Sequence, residues 1–219
     1  MKNTLRLLTL ASAVALASCG EEKAAEATTS AAQPVNNDSL NAKSNVKIDT
    51  FYAQTDMSSI GWKCSKPASS HNGIIKISKG WLGLNAGKIE QGSFTIDMNS
   101  ISDLDIKDAE KNKKLVGHLT SKDFFDAAAF PNAEFVLTSA TDTTLTGNLT
   151  LKGKTNSITF PYSTLIKNGE MIVAKASFSI DRSKWGIEFG GKSIAGIKPD
   201  NIISDMIELE VSLNTASKK

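Results

Sequence analysis

Residues 118–162 read HLTSKDFFDAAAFPNAEFVLTSATDTTLTGNLTLKGKTNSITFPY, and this stretch decides the fold. Within it, Glu134–Thr138, Thr144–Lys152 and Ser157–Tyr162 have the composition of three short strands. Leu145, Gly147, Leu149 and Leu151 fall on one face of the middle strand, and Thr144, Thr146, Asn148, Thr150 and Lys152 on the other. A period of two marks a half-buried β-strand. Lys152-Gly153-Lys154-Thr155 supplies the turn, because glycine reaches the positive φ of a tight hairpin. The centre of the chain is therefore a β-meander with one apolar face.

The same alternation recurs on both sides. Val46–Lys66 holds a first strand and a second near Ser59–Cys64, with Ile60, Trp62 and Cys64 sharing a face. Gly73–Ser78 and Trp81–Leu84 are β-prone. In Gly92–Met98 the residues Phe94, Ile96 and Met98 alternate with Ser93, Thr95 and Asp97. Beyond the meander, Glu170–Asp181 puts Ala174, Ala176, Phe178 and Ile180 on one face. Trp185, Ile187 and Phe189 suggest another strand, and Asp205–Leu213 aligns Ile207, Leu209, Val211 and Leu213. Eight to ten strands separated by turn signals predict an all-β barrel or sandwich, and a barrel removes exposed edges. One helix interrupts the pattern: β-formers vanish over Ile101–Leu119, and a helix is expected over Asp105–Leu119. Ser121 is placed to cap a further short turn.

The N-terminal 45 residues read differently. Lys2 and Arg6 precede an apolar run, Leu7–Leu16, too short to span a membrane. Leu16-Ala17-Ser18-Cys19 has the form of a lipobox. Residues 1–18 are expected to be a lipoprotein signal peptide, with Cys19 acylated as a lipid anchor. Several acyl chains, each binding at ~0.8 kcal/mol per buried CH₂, hold a protein to a bilayer. The expected location is the bacterial cell envelope, on the periplasmic side or the cell surface. Residues 20–45 lack aromatics and offer only Val35 and Leu40 as larger aliphatics. They are expected, with Cys19, to form a disordered tether over 19–45. That leaves 46–216 as one domain.

Charge and cysteine content exclude several classes. The chain has 25 basic and 23 acidic residues, and losing Lys2 and Arg6 leaves 23 of each. A neutral mature chain has no electrostatic basis for nucleic-acid binding. With Cys19 acylated, Cys64 has no partner, so the fold rests on its core rather than on disulfides.

Three motifs invite a catalytic or metal reading. Gly186–Ser193, GIEFGGKS, fits the P-loop pattern, but IAGIKP after it is a poor helix, and a phosphate site needs a helix N-terminus. His71, His118 and Cys64 lack metal-ligand spacing. Asp103, Asp105 and Asp108 resemble the start of an EF-hand, but Lys107 fills a ligand position. Asp181-Arg182 is read as a turn-anchoring ion pair. No metal, no cofactor and no catalytic residue is expected.

The segments HLTSKDFFDAAAFPNAEF, TGNLTLKGKTNSITFP and FSIDRSKWGI resemble, in order, motifs of the YceI family of bacterial lipid-binding proteins. The resemblance spans about residues 46–216. It implies a single antiparallel β-barrel of about eight strands, lipocalin-like, with one short-to-medium helix. It also implies a non-catalytic carrier of a polyisoprenoid or similar long lipid, held in the lumen. The lumen candidates are Trp62, Phe94, Ile96, Met98, Phe135, Leu137, Leu149, Leu151, Phe178, Ile180, Trp185 and Phe189. A dimer is compatible with this reading. The competing expectation is a ligand-free envelope interaction module with a solid core.

Overall fold

The computed structural model describes residues 24–35, 47–167 and 170–217. Residues 1–18, Cys19 and the flanking parts of the expected tether lie outside the described residues. The element order is β1 (Ala25–Glu26), β2 (Thr28–Ala31), β3 (Asp49–Ala53), β4 (Ser59–Lys66), β5 (Ser69–Asn85), β6 (Lys88–Asp103) and helix α1 (Ala109–Thr120). There follow β7 (Asn132–Ala140), β8 (Thr144–Leu151), β9 (Lys154–Pro161), β10 (Ser163–Lys167), β11 (Met171–Asp181) and β12 (Met206–Ser217).

Of the twelve strands among the described residues, ten form eight staves of one wall. β3 and β4 together make one stave, interrupted by a 3-10 turn at Thr55–Met57; each pairs with both β5 and β12. β5 to β9 follow as an antiparallel meander. β9 runs into β10 through Tyr162, and β10 pairs with β11, from Ser163↔Lys175 to Lys167↔Met171. β11 and β12 complete the circuit. The fold is thus the expected all-β barrel. Its Lys152-Gly153 turn is a two-residue hairpin with both central residues at positive φ, +48° and +73°. That matches the right-handed twist of the flanking strands.

One wall is incomplete without the N-terminal segment. Below Tyr162, β9 diverges from β11. The wedge between them is filled by residues 25–31: β1 pairs parallel with β11 (Ala25↔Phe178), and β2 pairs antiparallel with β9 (Thr28↔Thr159 to Ala31↔Asn156). Ala27 between them is 4% exposed, and its N–H donates to Ser179 O at 2.8 Å. Gln33 then crosses Asn148, whose amide accepts from Gln33 N (2.9 Å) and donates to Gln33 O (2.7 Å). The expectation of a disordered tether over 20–45 therefore fails for these residues. Side-chain composition was the wrong measure: two unpaired strand edges offer backbone hydrogen bonds, and small residues fit the narrow gap.

Two other sequence expectations need correction. The helix begins at Ala109 rather than Asp105, because the Asp108 side chain caps it, accepting from Lys111 N at 2.9 Å. The strand expected over 185–189 is absent. Arg182–Trp185 forms a 3-10 turn that Gly186 ends at φ +73°, and from Ile187 to β12 the chain is irregular but for a 3-10 turn at Pro199–Asn201. Without a following helix, GIEFGGKS lacks the geometry of a phosphate loop.

Candidate functional site

Inward-facing residues divide into three levels along the barrel. At the end nearest the helix, Trp62, Met98, Leu151, Ile180 and Trp185 pack with Leu119, Phe124 and Phe125 into a buried cluster. Both buried indoles are satisfied: Trp62 Nε1 donates to Ser102 O (3.1 Å) and Trp185 Nε1 to Leu149 O (3.0 Å). At the opposite end, Leu137 packs with Phe51, Ile77, Leu82, Ile89 and Ile172.

Between these clusters lies a cavity of about 130 Å³, room for several water molecules. It is lined by Phe94, Ile96, Phe135, Leu149 and Phe178 from the expected set. To these the structure adds Ile60, Leu145, Ile158, Phe160, Tyr162, Ala174, Ala176, Leu209 and Val211, among others. Ile60, Phe94, Phe135, Leu145, Leu149, Ala176, Leu209 and Val211 face inward yet are only half-buried. A solid core would bury them fully, since close-packed interiors leave few voids larger than a water. An apolar void of this kind stays dry. Tyr162 and Lys175 are its only polar lining residues among those described.

The lining is shaped by pairs of large and small residues. Gly147 on β8 leaves room for the Phe135 ring; a Cβ there would meet the ring at 2.4 Å. Phe160 and Phe178 stack across the wedge, with centroids 4.1 Å apart and planes 13° from parallel. Ala174 and Ala176, beside Phe178 on β11, open the space above it. Tyr162 Oη donates to Thr141 O at 2.9 Å, so its ring borders the cavity while its polar tip is paired outside.

The expected lumen set therefore splits. Five of its residues line the cavity, six pack in the end clusters, and Phe189 leaves the interior. At 45% exposure, Phe189 sits on the surface against the His118 ring, 4.4 Å away. The cause is the missing strand at 185–189. The neighbouring Phe160, Tyr162, Leu145, Ile158, Leu209 and Val211 were legible as members of inward rows but were absent from the expected set. The two end clusters are buried, and the cavity lies between them.

His118 packs edge-on to Phe124 and Phe189, while His71 bonds Asp105, so the set His71–His118–Cys64 is not assembled. Cys64 is half-buried, and its thiol faces Ser204 O at 3.9 Å. Burial raises its pKa above the ordinary value, and the nearby Arg182 charge opposes the rise. Arg182 is fully buried and donates to the carbonyls of Ile187 (2.7 Å), Ser204 (3.0 Å) and Ile203 (3.3 Å). Its carboxylate partner is Asp205 at 3.5 Å, not Asp181. Asp181 instead accepts from Ser183 N and Oγ to start the 3-10 turn. The guanidinium also lies 5.3 Å from the Phe124 ring centroid. Arg182 thus fastens the irregular segment over the helix-side cluster, a structural role.

The chain is 31% identical over 175 residues to a UPF0312 protein of Pseudomonas fluorescens, covering 73% of this chain and 81% of the relative. A UPF0312 protein of Pseudomonas syringae pv. syringae is 30% identical over 162 residues, covering 68% and 74%. Among solved structures, BcnA of Burkholderia cenocepacia superposes with a TM-score of 0.59 at 23% identity, over 74% of this chain and 98% of that one. A polyisoprenoid-binding domain from Saccharophagus degradans, implicated in plant cell wall breakdown, gives 0.57 at 14% identity, over 78% and 100%. Both share the fold. The YceI-like domain model matches residues 28–215, from the wedge strand to the last stave, and the chain belongs to the YceI-like domain family.

Proposed function

We propose that the protein is a non-catalytic carrier that sequesters a long apolar lipid of polyisoprenoid type in the mid-barrel cavity. The observation that carries this reading is the apolar cavity between the two packed clusters. Burying an alkyl or isoprenoid chain there gains about 25 cal/mol per Å² of apolar surface, with no polar group left unpaired. The fold-sharing polyisoprenoid-binding domain supports the isoprenoid class. A long isoprenoid needs more room than the void offers, so loading requires the wall to widen. The wedge held by residues 25–31 is the natural place, because its pairing is short and begins beside Tyr162 and Ala176.

We further propose that acylated Cys19 anchors the protein to a membrane of the bacterial envelope. Only four residues, Gly20 to Lys23, separate Cys19 from Ala24, which lies at the wedge. The five Cα-to-Cα steps between them span at most about 18 Å. The anchor therefore holds the wedge side of the barrel close to the bilayer surface, not at the end of a long tether. Lipid would then pass between membrane and lumen over a short path.

Two experiments test this. Organic extraction of purified protein followed by mass spectrometry is expected to release a long-chain lipid at near one per chain; a lipid-free extract would overturn the carrier reading. Cys19→Ser is expected to shift the protein from the membrane to the soluble fraction. Retention of that variant, with no lipid on its N-terminus, would count against the anchor.

A further inference from the structure

The barrel carries a second cluster, far in character from the lumen. His71 on β5, Asp103 at the end of β6 and Asp105 in the loop before α1 bring one nitrogen and two carboxylates together. Their ligand atoms all lie within 4.8 Å of one another. His71 Nδ1 is 2.9 Å from Asp105 Oδ2. Asp105 Oδ1 accepts from Asn72 N at 2.9 Å. Asp103 Oδ1 is fully engaged, accepting from Ile106 N (2.9 Å) and Asn112 Nδ2 (3.0 Å).

Asp103 is the anomaly. The residue is only 7% exposed, and its Oδ2 is buried without a hydrogen-bond partner. A buried carboxylate oxygen without a partner is costly, and here a second carboxylate stands beside it. Burial raises the Asp103 pKa, the Ile106 N–H pulls against that, and Asp105 adds to the rise. The imidazole offers one charge at most for two carboxylates. With Oδ1 committed to Ile106 and Asn112, Oδ2 is the atom left for a further ligand. Asn112 and the two backbone N–H groups fix the carboxylates from behind, as outer-shell partners do in metal sites.

We propose that His71, Asp103 and Asp105 bind one divalent transition-metal cation of the Zn²⁺ class. One imidazole with two carboxylates is a borderline donor set, which suits Zn²⁺ better than the all-oxygen shells of Ca²⁺ or Mg²⁺. Bonds of about 2.0–2.2 Å draw ligand atoms to roughly 3.5 Å from one another, so side-chain rotations of about an ångström complete the set. His71 and Asp105 are 36% and 31% exposed at their side chains, leaving an open side for entry and for water ligands. The ion would tie β5 and β6 to the loop that launches α1, and so fasten the helix over its end of the barrel.

The test uses the full mature chain, freed of metal by chelation, titrated with ZnCl₂ by calorimetry and by thermal melting. Saturable binding of one Zn²⁺ per chain is expected, with Tm rising as Zn²⁺ is added. Asp103→Asn and His71→Ala are each expected to weaken binding at least tenfold. His118→Ala, which removes the only other histidine, is expected to leave it unchanged. Asp103→Asn is expected to keep or raise the metal-free Tm, since it removes an unpaired charge; this separates lost ligation from misfolding. Binding unaffected by Asp103→Asn and His71→Ala, or absent in the wild type at millimolar Zn²⁺, would overturn the proposal. Tighter binding of Ca²⁺ than of Zn²⁺ would overturn the assigned class of ion.

Discussion

Cys64 shows how register alone fixes a side chain's chemistry. It shares the inward face of β4 with Ile60 and Trp62, and lies opposite Ile207 on β12. Burial keeps its thiol protonated above the ordinary pKa, and the thiolate is the nucleophile. Native protein is therefore expected to react slowly with iodoacetamide at neutral pH. The rate should climb as pH rises through the elevated pKa, and unfolding should abolish the protection. Rapid labelling of native protein would place the β4 register one residue off. Arg182 makes the opposite point. The sequence shows an adjacent Asp181, yet the buried guanidinium reaches Asp205 and the carbonyls of Ile203 and Ser204, more than twenty residues on, contacts that no local pattern encodes.

At the scale of elements, β8 contains its own control. Leu149 and Leu151 stand two apart in one inward row; Leu151 is buried in the helix-side cluster, while Leu149 faces the cavity. Leu151→Ala is expected to destabilise the lipid-free protein by about 2–5 kcal/mol. Leu149→Ala is expected to fall at or below the low end of that range, because the space before it is already empty. Urea unfolding of both variants checks the difference; equal, full-sized losses would mean the middle of the barrel packs solid. The rows themselves were legible in the sequence where period two survives, but register shifts at Ile74/Lys76, Ile77/Lys79 and Leu137/Ser139 interrupt it in the longer strands. Which level of a row meets the void was not, because that depends on where neighbouring staves place Gly147, Ala174 and Ala176. The 185–189 stretch also alternates like a strand, and there the demands of Arg182 overrode the local pattern.

For the whole molecule, the decisive feature is the wedge. Composition marked residues 20–45 as unable to fold on their own, and alone they have little to bury. The barrel supplies what they lack, two strand edges diverging from Tyr162. Ala27→Asp places a carboxylate in a 4%-exposed site and is expected to lower Tm, expose the backbone of 25–31 to hydrogen exchange and speed lipid exchange. An unchanged Tm, with 25–31 unprotected in the wild type, would return this segment to a tether. Occupation of the mid-barrel cavity by a long lipid is read out by native mass spectrometry of wild type beside Ala176→Phe. That change fills the void from β11 and should leave the barrel folded at equal or higher Tm. Wild type is expected to carry one long-chain lipid and the filled variant none. A folded Ala176→Phe protein that retains the same lipid in the same amount would contradict it.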